Sequence, residues 1–243
     1  MASPKASVIL AAAGAGRRFV EDRADAAPGE AKVFAALVGR PVLAYAVEAF
    51  ARVAAVAEIV AAVPAGSVAW ARETFGEALD DGRPLVFVAG GEARPDSVAR
   101  ALDATDGGTE LVAVHDGARP LIRPAVIEEA LRVAVEDGAA VVGRPVDHTI
   151  KMVGEDGRVT ETVPRRTLWM AQTPQIFRRE IIVQAYGRRG DMVGRVTDDA
   201  QLVEVLGRTV RMVLGDAANI KITTSGDLRA CEALLAAGWP FEV

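Results

Sequence analysis

The chain carries one cysteine, Cys231, two histidines, His115 and His148, and only 5% aromatic residues among its 243. A single cysteine excludes an intrachain disulfide framework and a multi-cysteine metal site, and its plainest role is a buried, inert thiol. No stretch approaches a membrane span. The first residues lead into a short strand beside Lys5, without a long apolar core or cleavage region, so a cytoplasmic location is expected. Positive charge is not in surplus: 28 Lys and Arg stand against 33 Asp and Glu, a formal net charge of -5. That balance argues against nucleic acid or an anionic membrane as a partner, and basic residues that cluster are then expected to serve a local anionic site. Repeats and low-complexity tracts are missing too. What is present, 51% hydrophobic and 25% charged residues, is ordinary globular usage. The length suits one large α/β domain, residues 1–243, with an excursion.

Against that background the opening segment stands out. Val8-Ile9-Leu10-Ala11-Ala12-Ala13-Gly14-Ala15-Gly16-Arg17-Arg18-Phe19 is an apolar run ending in small residues, two glycines and a basic pair, with Lys32 after a polar stretch. Such a loop offers backbone N–H groups and fixed positive charge to an anionic ligand, and a nucleoside triphosphate fits it. A Walker A loop would need Gly-Lys-Ser/Thr where Arg17 and Arg18 follow Gly16. A dinucleotide fingerprint would need a small residue at Phe19 and an acid downstream for a ribose. The remaining pattern looks like the signature loop of nucleotidyltransferases that join a sugar phosphate to a nucleotide. An ordinary βα turn would use the same glycines.

Periodicity gives alternating strands and helices. Val8 to Ala11, Glu58 to Val63, Leu85 to Ala89 and Leu111 to Val114 read as strands, and Pro41 to Val53 and Pro124 to Val135 as helices behind prolines. Pro95, Asp96 and Ser97 open a further helix carrying Val98, Ala101 and Leu102. This rhythm predicts an α/β fold with a doubly wound, mostly parallel sheet that binds ligands beyond the carboxyl ends of its strands. Between Asp147 and Val163 the rhythm breaks. Thr149 to Val153 and Arg158 to Val163 read as strands joined by Gly154-Glu155-Asp156-Gly157, a hairpin turn. A protruding β-hairpin arm of this length cannot bury both faces alone, so docking on a second subunit is expected.

Three segments place chemistry at the same sheet edge. Val114-His115-Asp116-Gly117-Ala118-Arg119-Pro120 begins at a strand end and puts an acid and a base in one loop, both able to face a pocket. Asp116 suits ribose hydroxyls or water on a phosphate-bound Mg²⁺, a metal that keeps several waters; turn hydrogen bonds and a surface arginine account for the loop as well. Gly90-Gly91-Glu92-Ala93-Arg94-Pro95-Asp96-Ser97 lets backbone approach a planar base while Ser97 reads its polar edge, or simply turns into a capped helix. Asn219-Ile220-Lys221-Ile222-Thr223 delivers a late lysine.

Together with Gln172-Thr173-Pro174-Gln175 and Thr197-Asp198, these motifs run in order along nearly the whole chain and resemble the 2-C-methyl-D-erythritol 4-phosphate cytidylyltransferases. Ribitol 5-phosphate cytidylyltransferases are the nearest alternative. The resemblance implies a Rossmann-like sheet of the nucleotide-diphospho-sugar transferase type, CTP and a polyol phosphate as substrates, Mg²⁺ or another divalent cation, and a homodimer whose arm, about 147–163, reaches the partner. It assigns Arg18 and Lys32 to catalysis. It assigns Ala12, Ala13, Gly14, Gly16, Gly91, Glu92, Ser97 and Asp116 to the nucleotide, with Asp116 near the metal. It assigns Arg119, Thr149, Arg165 and Lys221 to the acceptor, with Arg166 standing beside Arg165. Two departures stand out: Ala31-Lys32-Val33 replaces the family's Pro-Lys-Gln, and Asp147-His148-Thr149 replaces its Arg-Asp-Thr, which changes charge on the acceptor side. A non-catalytic CTP-binding regulatory dimer is the reading of another class, and the presence of both Arg18 and Lys32 speaks against it.

Overall fold

The computed structural model describes residues 4–14, 19, 31–192 and 196–239. Its centre is a seven-stranded sheet. The first strand, β1 (Ala6–Ala11), is almost wholly buried and pairs in parallel with β4 (Val56–Val63) on one side and β6 (Leu111–Asp116) on the other. β5 (Leu85–Ala89) adds in parallel outside β4. These are short apolar runs, the pattern of strands covered on both faces, and Pro64, Gly90 and Gly117 follow β4, β5 and β6. A short ribbon, β2 (Ala36–Leu37) with β3 (Arg40–Pro41), lies between β1 and β4 in sequence.

The second half departs from simple alternation. β7 (Ala139–Pro145) leads into the hairpin of β8 (Ile150–Val153) and β9 (Val159–Val163), and β10 (Trp169–Arg178) then enters between β6 and β7, antiparallel to both. β11 (Arg211–Leu214) closes the far edge in parallel with β7, giving the order β11-β7-β10-β6-β1-β4-β5. The sheet is thus mostly parallel and doubly wound, as expected, with one reversed strand inside it. The hairpin turn closes through the N–H of Gly157 donating to the Gly154 carbonyl at 3.0 Å, and its strands begin within a residue of the expected limits.

Helices cover both faces because side chains alternate along each strand. Val8 and Leu10 of β1 pack in one cluster with α1 (Val42–Ala51), α2 (Val68–Phe75) and α4 (Pro124–Asp137). Ile9 joins the opposite cluster with α3 (Arg94–Asp103), α5 (Arg179–Gly187) and α6 (Asp199–Val205). α4 starts on Pro124 and stops at Gly138, whose φ of 88° closes the left-handed end that a side chain resists. α7 (Ser225–Ala236) carries a capping box: Thr224 Oγ1 accepts from the Asp227 N–H at 3.2 Å and Asp227 Oδ2 from the Thr224 N–H at 2.8 Å. It packs over a smaller cluster that contains Ile222 and the buried Cys231. Burial pushes the Cys231 thiol up to about 12, in keeping with an inert thiol.

All these connections serve one edge. The loops after β1, β5 and β6 meet there because those strands are parallel. The start of β10 reaches the same edge because β10 is reversed.

Candidate active site

At this edge a cavity of about 410 Å³ opens between the loop Ala12–Gly14, the turn carrying Lys32, the segment Gly91–Arg94 with Ser97, and Asp116 with Lys221. A second cavity of about 240 Å³ adjoins it, lined by Arg119, Gln172, Thr173, Thr197 and Asp198. Arg94, Asp116 and Lys221 line both, so they form the wall between them. The structure therefore brings Ala12, Ala13, Gly14, Lys32, Gly91, Glu92, Ser97, Asp116, Arg119 and Lys221 to one place. Gly16 and Arg18 lie outside the described residues. Thr149 and Arg165 are exposed at the base of the hairpin and line neither cavity; Arg165 Nη1 donates to the Asp147 carbonyl, and Arg166 is exposed beside it.

Asp116 is the hub. It ends β6, is 6% exposed, and accepts from Arg94 Nε at 3.2 Å on Oδ1. Oδ2 faces Lys221 Nζ at 2.9 Å and Arg119 Nε at 3.4 Å. Burial alone would raise this carboxyl, but the cations of Arg94, Lys221 and Arg119 outweigh it and hold the group well below the usual carboxylate range. Arg94 is buried as well, which works to lower it, yet Asp199 and Asp116 win and push it up. Arg119 moves down because burial exceeds what Asp116 restores.

The neighbouring residue goes the other way. His115 is fully buried on the opposite face of the strand, edge-on to Phe50 with centroids 5.1 Å apart, and burial pushes it down to about 4. Its Nε2 lies 3.1 Å from the Arg119 carbonyl, which only accepts, so Nε2 carries the proton and Nδ1 accepts from Thr173 Oγ1 at 3.1 Å. Thr173 Oγ1 in turn accepts from the Asp116 N–H at 3.0 Å. Of this segment, Asp116 and Arg119 face the site. His115 is a neutral brace and no base for substrate.

The other loops are held by similar means. Ser97 Oγ accepts from the Gly91 N–H at 3.0 Å and donates to the Ala93 carbonyl at 3.1 Å, so it shapes the glycine turn while lining the cavity. A Cβ at Gly90 would stand 2.1 Å from Ala13 Cβ, which is why backbone alone fits where the two loops cross. The Lys32 turn closes with the Phe34 N–H donating to the Ala31 carbonyl at 2.8 Å, and Phe34 stacks edge-on against Trp70 at 4.6 Å. Lys221 rides on a loop fixed by the Ile222 N–H to the Ala118 carbonyl at 2.8 Å and by Asn219 Nδ2 to the Thr173 carbonyl at 2.9 Å.

Sequence reasoning gave no role to several of these groups. Arg94 is among the residues that carry the family resemblance but has no role assigned by it, and Asp199 and the buried Tyr186 of α5 carry no signal in the sequence. Gln175 joins β10 to α6, accepting from the Ala200 N–H at 2.9 Å and donating to Asp198 Oδ2 at 2.8 Å. No group of three or more metal-ligating side chains exists among the described residues, and Asp116 sits among the cations of Arg94, Arg119 and Lys221.

Chemically, two adjoining cavities with positive walls suit two anionic substrates. The comparisons agree. The model of the 2-C-methyl-D-erythritol 4-phosphate cytidylyltransferase family matches residues 6–237. The chain is 41% identical over 234 residues to the protein of that name from Pelotomaculum thermopropionicum, covering 96% of this chain and 95% of that one. It is 43% identical over 230 residues to the one from Symbiobacterium thermophilum, covering 94% and 92%. Among solved structures, 4-diphosphocytidyl-2C-methyl-D-erythritol synthase from Anaerococcus prevotii superposes with a TM-score of 0.82 at 28% identity, covering 96% of this chain and 97% of that one. The cytidylyltransferase from Thermus thermophilus superposes with a TM-score of 0.75 at 33% identity, covering 96% and 99%. With a family match spanning nearly its full length and relatives above 40% identity, this chain belongs to the 2-C-methyl-D-erythritol 4-phosphate cytidylyltransferase family.

Proposed function

We propose that the chain transfers the cytidylyl group of CTP to 2-C-methyl-D-erythritol 4-phosphate, giving 4-diphosphocytidyl-2-C-methyl-D-erythritol and pyrophosphate in non-mevalonate isoprenoid precursor biosynthesis. The observation that carries this reading is the pair of cavities divided by Asp116, Arg94 and Lys221 at the carboxyl edge of the sheet. The family match supports the substrates.

The reaction asks for little proton chemistry. An acceptor phosphate oxygen attacks the α-phosphorus of CTP, that bond forms, the bond to the β-phosphate oxygen breaks, and pyrophosphate leaves with the electron pair. The nucleophile is an anion at neutral pH, so the brace role of His115 costs nothing. What must be handled is charge on the equatorial oxygens and on the leaving group. Lys32 and Arg18 supply positive charge to that transition state, and the Gly14 and Gly16 amides cradle the phosphates. Ala12, Ala13, Gly91, Glu92 and Ser97 hold the cytidine. Arg119 and Lys221 face the acceptor phosphate in the second cavity.

Asp116 fits a divalent cation that arrives on the nucleotide. Three cations engage its two oxygens, which leaves room for contact through water and none for a multi-carboxylate cage. Mg²⁺, when bound, neutralises triphosphate charge. A cytoplasmic homodimer completes the reading, with the arm crossing to the partner and bringing Thr149 and Arg165 to the acceptor. Exposed Met152, Val153 and Val159 on the hairpin support it. No helix among the described residues is long and apolar enough to cross a membrane.

The test is pyrophosphate release with Mg²⁺ and each nucleoside triphosphate, across methylerythritol phosphate, ribitol phosphate and no acceptor. Release with CTP and methylerythritol phosphate alone is expected. Release only with ribitol phosphate moves the acceptor, with Asp147-His148 as the natural cause, and CTP binding without release refutes the enzyme reading.

A further inference from the structure

We infer that Asp199 and Tyr186, which line neither cavity, are positioning residues for the transfer reaction: they fix the Arg94 guanidinium against Asp116 and temper the positive charge of the wall between the two substrates. The inference rests on the cytidylyltransferase reading.

Asp199 opens α6 and is 1% exposed. Its Oδ1 accepts from the Tyr186 hydroxyl at 2.5 Å, and its Oδ2 lies 2.8 Å from Arg94 Nη2. Arg94 Nε then donates to Asp116 Oδ1. A chain of polar contacts thus runs from a buried tyrosine on α5 through a buried acid on α6 and an arginine on α3 to the hub of the site.

Two plainer explanations do not account for it. An acid in the first turn of a helix interacts well with the helix dipole. That effect needs no burial, and Asp198 already caps α6 by accepting from the Gln201 N–H at 3.0 Å. Stability gives no reason either, because replacing a buried ion pair by apolar residues is often neutral or stabilising.

The geometry supplies a reason. Arg94 reaches Asp116 through Nε and Asp199 through Nη2, so it is held at two points. With Asp199 removed, one anchor remains and the side chain is free to turn into either cavity. Charge changes as well. Three cations face two carboxylates with Asp199 ionised, and the same three face Asp116 alone without it. Asp116, left as the one counter-charge for three cations, would then have less negative charge to offer the nucleotide side of the site. Extra positive charge does not weaken the binding of anionic CTP, so the loss belongs to turnover. This separation of kcat from KM is what a merely structural role would not produce.

The experiment is steady-state pyrophosphate release with CTP, methylerythritol phosphate and Mg²⁺ by the full chain and by Asp199→Asn, Tyr186→Phe, Arg94→Met and the double variant Arg94→Met/Asp199→Asn. Asp199→Asn is expected to lower kcat about tenfold or more, the scale of one charge-assisted contact, with KM for CTP unchanged or lower. Tyr186→Phe should shift kcat the same way by less, and it carries the test if Asp199→Asn does not fold. In the Arg94→Met background, Asp199→Asn should cost no further turnover, since Asp199 acts through Arg94, and should raise Tm by removing an unpaired buried charge. A folded Asp199→Asn with kcat within about twofold of the parent overturns the inference, as does an undiminished effect in the double variant. An inactive parent protein refutes the cytidylyltransferase reading and this inference with it.

Discussion

Replacing Asp116 by asparagine exchanges one oxygen for an amide nitrogen where Arg94, Arg119 and Lys221 converge. The remaining carbonyl oxygen can serve only one side of the cluster, either Arg94 or the pair Lys221 and Arg119. The amide NH2 meets donors on its other side, and three cations lose their shared counter-charge. Breaking a buried pair in this way costs about 3–5 kcal/mol, equivalent to roughly 6–20 °C in Tm for a chain of this length. The Arg94 and Lys221 side chains are 27% and 38% exposed, so water relieves part of the repulsion and the lower half of that range is expected. The pH dependence is a sharper signature. The folded carboxyl titrates below its ordinary 3.8, so its stabilisation is in force above that value and is lost as pH falls towards the folded value. His115, ordinarily 6.5 and held near 4, drains stability earlier, and down to about pH 5 does so nearly equally in both proteins, because the Asp116 charge that raises His115 matters only as pH nears its folded value. The stability gap between parent and Asp116→Asn should therefore stay constant from about pH 8 to 5 and narrow below about pH 4. Urea titrations across that range measure it. Equal stability at neutral pH, or a gap unchanged at the acid end, would refute the reasoning.

Lys32→Ala should lower turnover by about a hundredfold or more while Tm changes little, because it removes one preorganised positive charge; pyrophosphate release and thermal unfolding read the two. Gly90→Ala forces a Cβ to 2.1 Å from Ala13 Cβ and 2.9 Å from Ser97 Oγ. It should cost about 1–3 kcal/mol and weaken CTP binding about tenfold in calorimetry. Val153 and Val159 face each other across the hairpin and are both exposed, so Val153→Lys with Val159→Glu keeps the cross-strand pair while removing its apolar character. If the parent assembles through the arm as proposed, light scattering should report a dimer for it and a monomer for this variant, and a variant that stays dimeric would count against that assembly.

Legibility in the sequence followed the physics of each element. Leu85 to Ala89 was readable at both ends because a buried parallel strand is a short apolar run between turn residues. The hairpin was readable because Gly154 and Gly157 punctuate it. β7, Ala139–Pro145, follows Gly138 directly after a helix, and small residues give it little contrast. β10 begins with Trp169, Met170 and Ala171, exposed and without alternation, and its buried part starts only near Thr173. Of the site, the glycine turns and Asp116 announced themselves by their place after strands. Lys221 did not, since a lone lysine becomes meaningful only when its loop docks on Ala118. The pairing of Arg94 with Asp199 was invisible, for nothing local links two residues so far apart in sequence.

The reversed strand explains both the site and the arm. A parallel crossover after β7 would have to cross a face of the sheet, usually as a helix, before re-entering at the opposite end. Because β10 runs antiparallel to β7, the chain leaves and re-enters at the same edge, with Trp169 paired to Pro145. Any excursion between them must then project from the edge where the cavities lie, which is where the hairpin stands. The same reversal brings the beginning of β10, with Gln172 and Thr173, beside the end of β6. There Thr173 Oγ1 holds the Asp116 N–H at 3.0 Å and the His115 ring at 3.1 Å, and Gln172 Nε2 donates to the Asp216 carbonyl at 2.9 Å at the base of the Lys221 loop. A parallel strand in that position would present its other end, leaving the Asp116 amide and the Lys221 loop without these partners. The arm and the bracing of the charged wall are therefore two consequences of one topological choice, and a change that disturbs the pairing of β10 with β7 near Trp169 acts on both.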